Sequence, residues 1–163
     1  MTIGVLYGEK HCSLHDLESF FWVLFWICIH YDGRGKGSSV EEFEKWNCMN
    51  TGELARAKKG VISDEGDFLR LAEDYFTPYY QSLIPCGNRL RRLVFPDGGR
   101  WKKPNFNLSR NMIETLQDAQ YKSDARHLIK PESFAGDLTP HLINILGNVY
   151  ALHNNNNNNN KST

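Results

Sequence analysis

His11, Cys12 and His15 bring two imidazoles and a thiol into five consecutive positions, the groups that bind zinc and other borderline metals. His11 and His15 are four apart, a spacing that would set both on one helical face. A structural zinc site needs four ligands, and the remaining cysteines, Cys28, Cys48 and Cys86, are scattered with no CxxC pair. These residues are therefore read as the start of a helix, with no metal assigned. Ser19 and His15 suggest no nucleophile pair, because neither has the strand–turn–helix setting of a nucleophile elbow. Gly33-Arg34-Gly35-Lys36-Gly37-Ser38-Ser39 has alternating glycines but not the GxxxxGK[ST] spacing. It also comes after a helical pattern where a phosphate loop comes after a strand, so a solvated loop is expected. Arg89, Arg91 and Arg92, with Arg100, Lys102 and Lys103 nearby, form a basic cluster that can grip an acidic partner; solvated surface charge is the expected role.

The element that positions the His11–Ser19 residues is one long apolar helix, expected from about Leu14 to Tyr31. Ser13 is a candidate N-cap, with Asp16 three residues later in the manner of a capping box. After Glu18 no acidic or Lys/Arg residue appears until Asp32. A helix apolar on every side is buried on every side, which makes this segment the expected centre of the fold. Its apolar stretch Phe20–Ile29 covers ten residues, half of what a membrane span needs, and no signal-peptide cleavage pattern comes after it.

Further helices are expected along the chain. Val40–Met49 carries Phe43 and Trp46 on one face. Thr51 caps a polar helix through Lys59, and Ser63 caps a helix from Asp64 to about Phe76, whose stripe is Phe68, Leu71, Ala72, Tyr75 and Phe76. Thr77-Pro78 pairs a cap with a helix-start proline, and Pro85 is expected to interrupt the helix begun there. Asn88–Phe95 forms an amphipathic turn or two, Pro96–Gly99 a turn, and Leu108–Tyr121 a helix. Thr139-Pro140 opens a last helical stretch, and the asparagine run from Asn154 to Asn160 reads as a disordered tail. No strand alternation and no repeat is found. The fold class is mainly α.

Nineteen Lys and Arg balance nineteen Asp and Glu, which removes any bulk electrostatic drive toward nucleic acid or anionic membrane. Hydrophobic residues make up 40%, enough for one sizeable core. The scattered cysteines suit a reduced, intracellular setting, cytoplasm or nucleus.

His15-Asp16-Leu17-Glu18-Ser19-Phe20-Phe21-Trp22-Val23-Leu24-Phe25-Trp26 resembles the buried central helix of the protein-kinase C-lobe, with Asp16, Ser19, Phe20, Leu24 and Trp26 in step with it. The wording is closest to the fungal-type protein kinase family, where HDLESFFYVLLWICIHY recurs. EFEKW at 42–46, EGDFL at 65–69, FTPYY at 76–80 and 88–95 also resemble that family. Met1, Thr2, Ile3 and Gly4 with the adjoining Val-Leu are similar to the M-A-P-E-V-L segment that closes an activation segment, Gly4 standing for its glutamate. In kinases that glutamate pairs with a C-lobe arginine, so the resemblance implies that the clamp is absent or replaced here.

The resemblance implies a partial kinase-like C-lobe over 1–122, a helical extension over 123–152 and the tail over 153–163. It implies a truncated C-lobe whose parent activity is ATP-dependent phosphorylation of protein hydroxyls, with ATP and magnesium as parent cofactors. HRD, DFG, VAIK and GxGxxG are not found in the sequence. Asp97-Gly98-Gly99 lacks the phenylalanine of DFG and lies after the central helix, so it reads as a turn. No catalytic, cofactor or metal residue is therefore assigned. Protein substrates or regulators are the expected partners, with no nucleic acid and no membrane. Self-association through exposed apolar surface is expected. The aspartate matching Asp16 accepts backbone hydrogen bonds from the kinase catalytic loop, so Asp16 is expected to be exposed or poorly satisfied. A non-catalytic helical protein-binding module is the alternative.

Overall fold

The apolar run beginning at Phe20 folds within the expected long helix and gathers the other elements around it. A computed structural model describes residues 1–33, 36–103 and 105–127. The helices in these residues are α1 (Ile3–Leu6), α2 (Ser13–His30), α3 (Glu41–Glu44), α4 (Thr51–Ser63), α5 (Glu65–Tyr75), α6 (Ile84–Val94) and α7 (Leu108–His127). Short 3-10 turns cover Lys45–Cys48, Gln81–Leu83 and Pro96–Gly98. Among the described residues the β pairing is one isolated antiparallel bridge, Tyr31 with Gly37, so the fold is mainly helical as expected. The 128–152 part of the expected extension, the Thr139-Pro140 helix and the asparagine tail lie outside the described residues.

The core is aromatic. Phe21 and Phe25, one turn apart on α2, stack with ring centroids 6.3 Å apart. Phe95 meets Phe21 edge-on at 5.2 Å, and Phe43 and Phe76 meet Phe25 edge-on at 5.6 and 5.9 Å. Edge-to-face geometry sets the positive rim of one ring on the negative face of the next, which adds to the burial of the rings. α6 packs on α2, with α5 and α7 against α6 and α1 against α4.

Several expected boundaries shift for local reasons. The N-cap of α2 is Cys12 rather than Ser13, and His15 rather than Asp16 completes its capping box, its Nδ1 accepting the Cys12 N–H at 3.1 Å. Asn50 caps α4 in place of Thr51 through a reciprocal box with Glu53. α4 runs on to Ser63 because Val61 and Ile62 continue its buried face past Gly60. Asp64 rather than Ser63 caps α5, accepting the Asp67 N–H at 3.0 Å. Pro85 does not interrupt a helix. It stands in the first turn of α6, where its missing N–H has no intrahelical partner to lose. Thr77 begins no helix; its hydroxyl donates to the Tyr31 carbonyl at 2.6 Å and its N–H to the Cys28 carbonyl at 2.9 Å, fastening the end of α2.

The expectation that α2 is covered on all sides fails along one stripe. Val23 is 52% exposed, and Ser19, Trp26 and Ile27, on the same face, are only half-buried. The residues are spaced three and four apart, so this is a continuous strip rather than scattered positions.

Candidate functional site

The site is the junction where α1, the start of α2 and the segment after α6 converge. Ile3 opens α1, and the first N–H groups of a helix have no intrahelical acceptor. Thr2 serves one of them, its hydroxyl oxygen accepting from Val5 N–H at 3.4 Å. The Ile3 N–H is served from α2: Glu18, fully buried, accepts it on Oε1 at 2.6 Å and accepts the Trp22 indole N–H on the same oxygen at 3.1 Å. From the other side the buried Lys58 of α4 donates to the Met1 carbonyl at 2.6 Å. Its ammonium lies 4.4 Å from the centre of the Trp22 ring, within cation–π range. Burial pushes the Lys58 amine down to about 8, against the pull of the Glu18 charge. Met1 to Gly4 is thus held by a carboxylate on one helix and an ammonium on another.

Gly4 has room for no side chain. A Cβ there would run into His15 Nε2 and stand 2.6 Å from Glu9 Oε2 and 3.1 Å from Arg100 Nη2. The carboxylate of Glu9 pairs with Arg100 beside the empty side-chain position of Gly4. The Arg100 hydrogen bond holds the Glu9 carboxyl below its ordinary range, and the same bond raises Arg100. Glu9, five residues downstream of Gly4, supplies the carboxylate that meets Arg100 here. Sequence reading misses Glu9, because its distance from Gly4 is closed only by the turn after α1, where the Glu9 N–H bonds to the Gly4 carbonyl at 3.0 Å.

His15 joins this clamp to the cap of α2. Its Nδ1 accepts the Cys12 N–H, so the neutral ring carries its proton on Nε2, which faces Glu9 Oε2 at 3.5 Å. The Trp101 ring packs against it, centroids 5.7 Å apart. The row Cys12, His15, Glu9 has the order of nucleophile, base and orienting acid, with Cys12 Sγ 3.3 Å from His15 Nδ1. That nitrogen is already engaged by the backbone of Cys12, so the ring acts as a cap and a support. Among the described residues no group of three or more His, Cys, Asp and Glu side chains is arranged to hold a metal.

The residues singled out on α2 divide between core and surface. Phe20 and Leu24 are buried, Ser19 and Trp26 are half-buried, and Trp26 stacks on His30 at 3.9 Å. Asp16 is exposed and takes no part in the clamp; its partner is His11 Nε2 at 3.1 Å. Asp97 forms a turn, in the left-handed region at φ 55°. The basic cluster does not stay together as surface charge. Arg91 is buried, donating to the Ile62 carbonyl at 2.9 Å and Asn88 Oδ1 at 3.1 Å and facing Glu65 at 3.4 Å. Arg89 pairs with Asp118 at 2.9 Å.

The segment from α1 through Cys28 thus carries Glu9 of the clamp and most of the core helix. Residues 1–28 match the fungal protein kinase family model. The match agrees with the family resemblance and ends two residues before the end of α2. No curated protein and no solved structure matches the chain. Among the described residues no helix is long and apolar enough to cross a membrane.

Proposed function

We propose that this chain is C-lobe material of a fungal-type protein kinase, a scaffold that anchors the end of the activation segment to the central helix and does not itself transfer phosphate. The observation that carries the reading is the buried bond from Ile3 N–H to Glu18 Oε1: it joins the stretch similar to the activation-segment end to the helix similar to the C-lobe centre, both inside the matched residues. The parent reaction is ATP-dependent phosphorylation of protein hydroxyls. It needs a phosphate cradle, a lysine, a catalytic aspartate and metal ligands, and no residue of this sequence is assigned to those roles. The chain alone is therefore inactive and takes no ATP–magnesium. Titrating a fluorescent ATP analogue into the purified chain, with and without magnesium, tests this; saturable magnesium-dependent binding at micromolar concentration overturns it.

The exposed strip of α2 supports a second reading, a protein-binding module. Val23, with half-buried Trp26 and Ile27, offers an apolar surface of the kind that partners or a second copy cover. Under the scaffold reading the same strip receives the remainder of a kinase domain. Adding the N-terminal half of a related fungal kinase then lowers self-association, and Asp16→Ala weakens that rescue more than it destabilises the lone chain. Light scattering after size exclusion reads both effects. A monodisperse monomer that ignores the added half, and that Asp16→Ala leaves unchanged, overturns the scaffold reading.

A further inference from the structure

The cations left over once Arg91 is buried and Arg89 is paired with Asp118 at the surface converge on one cleft. It lies between the end of α6 and the segment leading to α7, with a volume of about 530 Å³, within the range of ligand-binding clefts. Arg92, Lys102 and Lys103 line it, all exposed, and none has a carboxylate at salt-bridge distance among the described residues. Leu93, Pro96 and Trp101 supply apolar surface between them. Arg100 also lines the cleft, and the one carboxylate there is Asp97. With Arg100 paired to Glu9, three cations against one anion still make a local excess in a chain whose total charge is zero.

The cleft is also built rather than draped. Arg100 is held from beneath by Glu9, and Trp101 packs on the buried His15. The two lysines therefore come directly after anchored residues, opposite Arg92 on the helix. Fixed cations beside apolar surface attract carboxylates over a distance and reward an apolar side chain on contact.

We infer that this cleft docks an acidic segment of another protein, one whose carboxylates are interrupted by large apolar side chains. The occupant is peptide rather than nucleic acid, because the apolar surface set among the cations has no use for a bare phosphate backbone. The inference does not depend on the kinase reading.

The probe is a short fluorescein-labelled peptide of glutamates with leucine at every third position, titrated with the full chain and read by anisotropy. The doubly substituted Lys102→Glu, Lys103→Glu chain is expected to bind at least about tenfold more weakly, and Arg92→Glu also more weakly. Lys59→Glu, an exposed change on α4, leaves binding unaltered. Replacing the leucines of the peptide by serine also weakens binding. Equal affinity of wild type and the double variant overturns the inference, as does a loss no larger than that of Lys59→Glu. It is likewise overturned if the serine peptide, or a DNA duplex of equal charge, binds as tightly as the leucine peptide. Lys102→Met with Lys103→Met checks that the loss reflects charge rather than folding, and must weaken binding in the same direction.

Discussion

The carboxylate of Glu18, in the second turn of α2, holds the backbone N–H of Ile3 at 2.6 Å with no water-exposed surface of its own. Removing it strands two buried donors, the Ile3 amide and the Trp22 indole. Glu18→Ala is expected to cost about 2–5 kcal/mol, since each buried donor left unpaired costs roughly 1–3 kcal/mol. Denaturant unfolding measures the loss, and amide exchange at Ile3 localises it. Glu18→Gln keeps an acceptor oxygen and should retain part of the Ile3 protection. An Ile3 amide equally protected in the alanine variant would show that the bond does not hold α1.

Glu9 and Arg100 should behave as one unit. Gln at position 9 removes the charge, and a second substitution, Arg100→Met, should then cost much less than it does alone. Because Arg100 holds the Glu9 carboxyl below its ordinary value of 4.5, the stability from the pair is complete above that pH. It is lost as the pH falls through the lowered value. Thermal melts between pH 3 and 6 should therefore show a weaker acid dependence for Glu9→Gln. Returning a carboxylate by Gly4→Glu in that background should not recover stability, since its Cβ would run into the buried His15 ring. Additive effects of the Glu9 and Arg100 changes would dismiss the clamp.

Two neighbours on α2 should respond in opposite ways. Leu24 is buried, so Leu24→Ala should cost about 2–5 kcal/mol through lost contacts and a cavity. Val23 is more than half exposed, so Val23→Asp should leave the melting temperature nearly unchanged while reducing self-association. If Val23→Asp unfolds the chain, the strip is covered in solution.

Lys58 gives a pH signature at the alkaline end. Its folded value of about 8 lies below the ordinary 10.5, so between these values the unfolded chain binds a proton that the folded chain does not. Stability from this group therefore rises with pH across that window. The shift corresponds to roughly 3 kcal/mol at about 1.36 kcal/mol per unit. Comparing wild type with Lys58→Met from pH 7 to 10 isolates the effect; equal slopes for the two proteins would mean that Lys58 stays solvated.

The central helix is legible in the sequence because an apolar run beside a polar N-terminal turn has few other ways to fold. The wet strip on it is not, since Val23 and Leu24 are equally apolar and only the placement of neighbouring helices separates them. Thr51 and Ser63 are as good caps by type as Asn50 and Asp64, and the choice falls one residue away because the backbone at Asn50 and Asp64 is extended. Arg91 carries no sequence signal that sets it apart from its exposed neighbours. Its burial depends on the Ile62 carbonyl, 29 residues away, which only the packing of α4 against α5 and of α5 against α6 brings near. In the clamp, Gly4 and Arg100 are both visible in the sequence, whereas Glu9 requires the turn that carries its carboxylate back.

The four thiols of the chain fall into two pairs with opposite access. Cys12 and Cys48 are exposed, while Cys28 and Cys86 are buried on α2 and α6. Burial raises the thiols of both inner residues, Cys86 to about 12, and an alkylating reagent needs the thiolate. The folded chain is thus its own stopwatch: two labels attach at once, and the arrival of the third and fourth marks the moment at which the two core helices part.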